Sequence, residues 1–295
     1  MKKFCAMLLC ILTSYFCFGQ NDFHFSLAPR FSFTYGELTE LLYDDDASQT
    51  LVSRLDWEQK PLFNIGLEAA FSYKNFLLSA AFDYSFPIGT SYMYDSDWED
   101  GEKFSFTKHP LADSKNINTE LSFAYELAAT NKLSVIPELQ FNYIYSDFKA
   151  DRGSGTRYGR SIRVYGVDYN RHSFIIFTGL SVKAEVIEKI FFKTAFFAAP
   201  WLYQDCFDYH HGVKHPFSSR DILYASFTKY KIDFACDFIY NRQLSLELFT
   251  SFLFGFPDKG EIYSDYFGSW AHITEQKGGA AINYIKSGIN LKLTF

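Results

Sequence analysis

The chain alternates with a period of two where it ends. In 244–256, Leu244, Leu246, Leu248, Phe252, Phe254 and Phe256 share one parity, and Ser245, Glu247 and Ser251 share the other. In 289–295, Ile289, Leu291, Leu293 and Phe295 alternate with Asn290, Lys292 and Thr294. Successive residues of a strand point to opposite faces, so each segment reads as a strand with one apolar and one polar face. Helices, with a period near 3.6, do not sort residues this way.

Turn-like polar clusters at Lys74-Asn75, Thr130-Asn131-Lys132, Glu188-Lys189 and Asn241-Arg242-Gln243 recur about 55 residues apart. Each interval holds a long strand, a polar loop and a long return strand. Five such units predict an all-β fold, a ten-stranded antiparallel transmembrane β-barrel with four short turns at one end and five longer loops at the other. The loops are centred near Asp44–Ala47, Asp100–Glu102, Arg152–Gly159, Gly212–Ser219 and Asp258–Gly279. Aromatic residues make up 20% of the chain, with 34 Phe and 21 Tyr, more ring than a soluble domain can cover. Lipid is the medium that accommodates it. A spanning strand needs only about 9–11 residues, and these run to roughly twice that, so the barrel should stand well above the membrane on its loop side.

Residues 1–19 read as a signal peptide: Lys2 and Lys3, an apolar core through Met7-Leu8-Leu9-Cys10-Ile11-Leu12, then Cys17-Phe18-Gly19. Residues 20–295 form the barrel. Without the two lysines the formal charge of −6 becomes −8, which argues against nucleic acid and for cationic partners. Cys206 and Cys236 remain, with no spacing that implies a disulfide framework.

Two acid motifs carry chemistry. Asp95-Ser96-Asp97 and Asp208-Tyr209-His210 each lie near the loop end of a long strand, and residues i and i+2 face the same way. Strands three and seven are four places apart in a ring of ten, which sets Asp95 and Asp97 across the lumen from Asp208 and His210. A histidine beside a same-face carboxylate is an oriented general base. Two neighbouring carboxylates do not both ionise freely, so one tends to keep a proton. Between the pairs, His210 is placed to deprotonate a water aimed at a peptide carbonyl. A zinc or copper reading of His210, His211 and His215 fails on geometry, because adjacent strand residues point oppositely. The competing reading is a non-enzymatic barrel, an adhesin or a porin-like protein. Against a pore, interior charges at Arg54, Asp56, Glu58 and Lys292 are expected to pair across a narrow lumen.

At these motifs the chain resembles the omptins, a family of outer-membrane endopeptidases. The matching residues are Leu55-Asp56-Trp57, Asp95-Ser96-Asp97-Trp98, His109-Pro110, Asp208-Tyr209-His210 and the terminal Thr294-Phe295. The aromatic terminus also resembles the signal by which outer-membrane barrels are recognised for insertion. The resemblance implies that Asp95 and Asp97 are the carboxylate couple, His210 the base and Asp208 its partner. It implies no metal and no cofactor other than lipopolysaccharide as an activator, held by Arg152 and Arg171 on the outer wall. It implies a monomer that acts on peptides or proteins at the extracellular side of the outer membrane, with Glu40 receiving a basic side chain. The chain departs from the family pattern at Cys206, where a second pocket acid is expected. Asp205, beside it, has the wrong parity to substitute. The stretch Phe104–Lys108 lacks the acid that would favour a basic residue after the cut.

Overall fold

The computed structural model describes residues 23–44, 49–130, 132–212, 216–266 and 268–295. The signal peptide, most of the Asp44–Ala47 loop and His215 lie outside the described residues. The chain is a succession of antiparallel strands, and the ring can be walked in order. It starts with β1 (Phe23–Asp44) and β2 (Leu51–Tyr73), followed by a stave broken into β3 (Phe76–Pro87) and β4 (Tyr92–Glu99). β5 (Glu102–Tyr125) with β6 (Leu127–Thr130), then β7 (Leu133–Ala150), complete the first half. A small ribbon, β8 (Gly153–Arg157) and β9 (Arg160–Val164), rises from the next loop. β10 (Val167–Ile187) and β11 (Ile190–His210) follow, then the broken staves β12 (Phe217–Ala225) with β13 (Lys229–Ile239) and β14 (Leu244–Gly255) with β15 (Asp258–Ser264). The short β16 (Ala271–His272) precedes β17 (Gln276–Thr294).

β17 pairs with both β14 and β1, which closes the ring at ten staves among the described residues. Closure removes the free edges that lipid would leave without hydrogen-bond partners. The parity read from the sequence holds: Ile289, Leu291, Leu293, Leu246, Leu248 and Phe254 project outward, whereas Asn290 is buried inside. β1, β2 and β5 contain 22, 23 and 24 residues, at least twice what a bilayer crossing takes. The surplus is the rim on which the acid motifs sit.

The lumen is filled in two layers. Just below the rim, Trp57 stacks on Tyr169 with ring centroids 5.2 Å apart and lies 5.8 Å from Phe148, within an apolar cluster with Leu38, Met93 and Leu202. Deeper, charges pair across the lumen, Lys286 with Asp83 at 2.6 Å and Lys231 with Glu120 at 3.0 Å, and between the neighbouring strands β1 and β2, Arg30 with Glu68 at 3.3 Å. A cavity of about 290 Å³ remains among these groups. The expected set of interior charges needs correction. Arg54, Asp56 and Glu58 alternate with inward Leu55 and Trp57, so they face outward; Arg54 pairs with Asp56 at 2.8 Å and Lys60 with Glu58 at 2.6 Å. Lys292 keeps its lumen position, close enough to Glu247 and Glu68 to feel their charge.

Two turns show how short hairpins are made. Tyr158 and Gly159 at the tip of the β8–β9 ribbon both have positive φ, 48° and 73°. Asp100 and Gly101 joining β4 to β5 do the same, at 51° and 80°. Two consecutive left-handed residues give the twist that matches the flanking strands.

Candidate active site

β4 lies between β2 and β5, and its register places Asp95 beside Leu55 and Thr107, and Asp97 beside Ser53 and Ser105. All of these share the inward face. On the far wall, β11 presents Asp208 opposite Tyr169 of β10 and Ser219 of β12, with His210 one pleat higher beside Phe217. The Phe217 ring stacks on the imidazole at 4.4 Å, with 9° between the planes. That contact fixes the ring's tilt. Asp208 is buried and hydrogen-bonded to His210 Nε2, which orients the imidazole from its own strand.

The two walls sense each other. Asp95 is pushed up to about 7, first by burial and then by the charge of Asp97, against the opposing charges of His210 and Arg157. Burial, the largest single influence, acts against a charged His210, but the charge and hydrogen bond of Asp208 together with the charges of Asp95 and Asp97 outweigh it, so the imidazole is held above its ordinary value. Near neutral pH the site therefore contains one carboxyl able to carry a proton and one imidazole backed by a carboxylate. Such pairs, pushed to different protonation states by their surroundings, are what acid–base chemistry requires. Arg157 reaches over from the β8–β9 ribbon, which pairs with β5, to 3.9 Å from Asp97. The sequence expectation had no place for it, because the ribbon reads as loop.

Glu40 lies on the inward face of β1, opposite Leu55 and Ala280. Its Oε2 is buried with no hydrogen-bond partner. Burial first, then the charges of Asp208 and Asp221, raise its carboxyl well above the usual range. Cys206 shares this pocket and is pushed up to about 12, chiefly by burial, so it is an un-ionised thiol. Asp205 points outward as its parity requires, forming a two-pronged pair with Arg220 at 2.8 and 2.7 Å.

His211 faces away from His210 and meets Asp168 at 3.1 Å. His109 is buried below the rim, sharing hydrogen bonds of 2.9 Å with Thr107 and with the Asp151 carbonyl. It lies inside β5. Among the described residues no group of three His, Cys, Asp or Glu side chains has metal-binding geometry.

Arg171 requires a correction. Expected on the outer wall, it is 0% exposed inside the barrel, where it donates to the Ala281 carbonyl at 2.8 Å, to Ser173 at 3.2 Å and to Gln204. The cause is register: Arg171 pairs with inward-facing Cys206, and cross-strand partners share a face. It does not reach a lipid headgroup. Arg152 is exposed at the base of the ribbon, over the Tyr165 ring at 4.5 Å.

Residues 23–292 match the model of the omptin family. The fold is similar to that of the outer membrane protease OmpT from Escherichia coli, with a TM-score of 0.79 at 14% identity, covering 93% of this chain and 97% of that one. The outer membrane protein OprG from Pseudomonas aeruginosa aligns at 8% identity over 92% and 95% of the two chains, with a TM-score of 0.39. No curated protein sequence matches.

Proposed function

The chain belongs to the omptin family of outer-membrane proteases, and from that premise we propose that it is an endopeptidase in which His210 activates water. The observation that carries this reading is the placement of Asp95 and Asp97 on the inward face of one wall of the rim and of Asp208, hydrogen-bonded to His210, on the other. In the proposed mechanism neutral His210, held by Asp208, takes a proton from a water lying between the walls. The hydroxide attacks the peptide carbonyl. Asp95 in its protonated form, with Asp97 beside it, donates a hydrogen bond to the developing oxyanion. His210 then returns its proton to the leaving amine. General-base action of this kind contributes on the order of 10²–10⁴ in rate, and no step calls for a metal.

Glu40 supplies an acid for a basic side chain just before the cut, so substrates are cationic peptides or proteins that reach the rim from the extracellular side. Exposed Arg152 is the remaining candidate for a lipopolysaccharide phosphate, and the protein works as a monomer. Replacing His210 with Ala tests the mechanism. Cleavage of a basic peptide should fall by at least about 10², with the heat-modifiable gel migration of the folded barrel unchanged. Turnover like that of the parent protein in His210→Ala ends the proposal.

A further inference from the structure

We propose that Asp221 is the second carboxylate of the substrate pocket, taking the place that Cys206 leaves empty, so that a basic side chain is held between Glu40 and Asp221. This rests on the protease reading above. Cys206 and Asp221 are direct partners across β11 and β12, so their side chains leave neighbouring strands on the same inward face, with Cβ atoms about 5 Å apart. An acid absent from one strand is thus supplied by the next.

Asp221 is 5% exposed, and its Oδ1 has no hydrogen-bond partner. A buried carboxylate oxygen left unpaired is destabilising, and such a group calls for an explanation. A ligand with donors provides one. Glu40 Oε2 is in the same condition, with the Trp57 indole the one donor that acts on the Glu40 carboxyl. Two orphaned acceptors in one pocket suit a guanidinium, whose five N–H donors lie in a plane and are never lost by deprotonation.

β17 makes room for the Asp221 carboxylate. A Cβ at Gly278 would lie 2.3 Å from Asp221 Cγ, so the carboxylate occupies the space a side chain would fill. Two residues on, Ala280 is the β17 partner of Glu40. The two acids therefore approach the same run of small residues, Gly278-Gly279-Ala280, from opposite sides. Arg171, behind Cys206, is held by the Ala281 carbonyl, Ser173 and Gln204, none of them charged. It leaves both pocket acids to the substrate. Burial, and then the neighbouring charge of Asp208, raise the Asp221 carboxyl well above the usual carboxylate range, and a cation beside it would oppose that shift.

Selection for a basic residue before the cut is then as strong as with two acids on the family positions, and Cys206→Asp brings no gain. The test compares kcat/KM for two fluorogenic peptides that differ only in arginine or uncharged citrulline before the scissile bond. It uses refolded wild-type protein, Asp221→Asn, Asp221→Ser and Cys206→Asp. The arginine-to-citrulline ratio should fall about tenfold to a hundredfold in either Asp221 variant, the range for loss of a charge-assisted hydrogen bond. It should not rise in Cys206→Asp. If one Asp221 variant fails to refold, the other carries the test. A ratio unchanged in the folded Asp221 variant, or sharpened by Cys206→Asp, overturns this assignment while leaving the protease reading in place. No cleavage of either peptide by the folded wild-type protein overturns both.

Discussion

Replacing Asp97 with Asn should move the descending limb of the pH profile down by nearly two units. Asp95 titrates at about 7, with burial as the larger cause and the Asp97 charge as the second. Residues i and i+2 of a strand are about 6.6 Å apart. At an effective dielectric of about 20, two unit charges at that spacing repel by about 2.5 kcal/mol, which is about 1.8 pK units. Asn keeps the burial and removes the repulsion, so Asp95 should titrate at about 5 in the variant. Because the proposed mechanism uses protonated Asp95, the alkaline loss of kcat/KM tracks this group in the free enzyme. Asp97 also helps hold His210 up, as the weakest of its supports, so the acid limb should shift the same way by less. The assay is kcat/KM for an arginine peptide from about pH 4 to 9; the position of the limb carries the test, not its height. A descending limb that stays near 7 would show that the essential proton is not on Asp95.

Other perturbations follow from the same contacts. Arg157→Ala removes a charge that lowers Asp95, so the descending limb should move up, opposite in sign to Asp97→Asn; a shift downward would refute the role of the ribbon. Incubation with EDTA should leave turnover unchanged, and activity lost to the chelator and restored by zinc would favour a metal centre. Arg171→Met removes a donor from the Ala281 carbonyl and leaves Gln204 Oε1 with Ser173 alone, a cost of about 1–3 kcal/mol for an orphaned group. It should lower the temperature of the heat-modifiable transition without altering lipopolysaccharide dependence, whereas loss of that dependence in a stable barrel would return Arg171 to the lipid face.

The barrel is legible because its signals are local. Leu246, Leu248, Ile289 and Leu291 face lipid by parity alone, and turns such as Lys74-Asn75 and Glu188-Lys189 mark where the chain reverses. The opposition of Asp95 to His210 follows once strands are counted. What stays hidden depends on register between strands, which parity does not fix. Nothing in the sequence says that Arg171 stands beside Cys206, or that Asp221 does so from the other side, because a hairpin register turns on where its loop bends. The β8–β9 ribbon is hidden for another reason: Gly153, Gly155 and Gly159 give its strands a loop composition. Only the pairing of Ser105 with Arg157 and Thr107 with Gly155 makes them an extension of the wall.

The most direct measurement is cleavage of a peptide library by the refolded protein in detergent with lipopolysaccharide, with cut sites read by mass spectrometry and His210→Ala run alongside. The account predicts cuts concentrated after Arg and Lys, tolerance of varied residues at the next position, and no cuts by the variant. An intact library in the presence of a folded wild-type barrel, or the same cuts from His210→Ala, would contradict it.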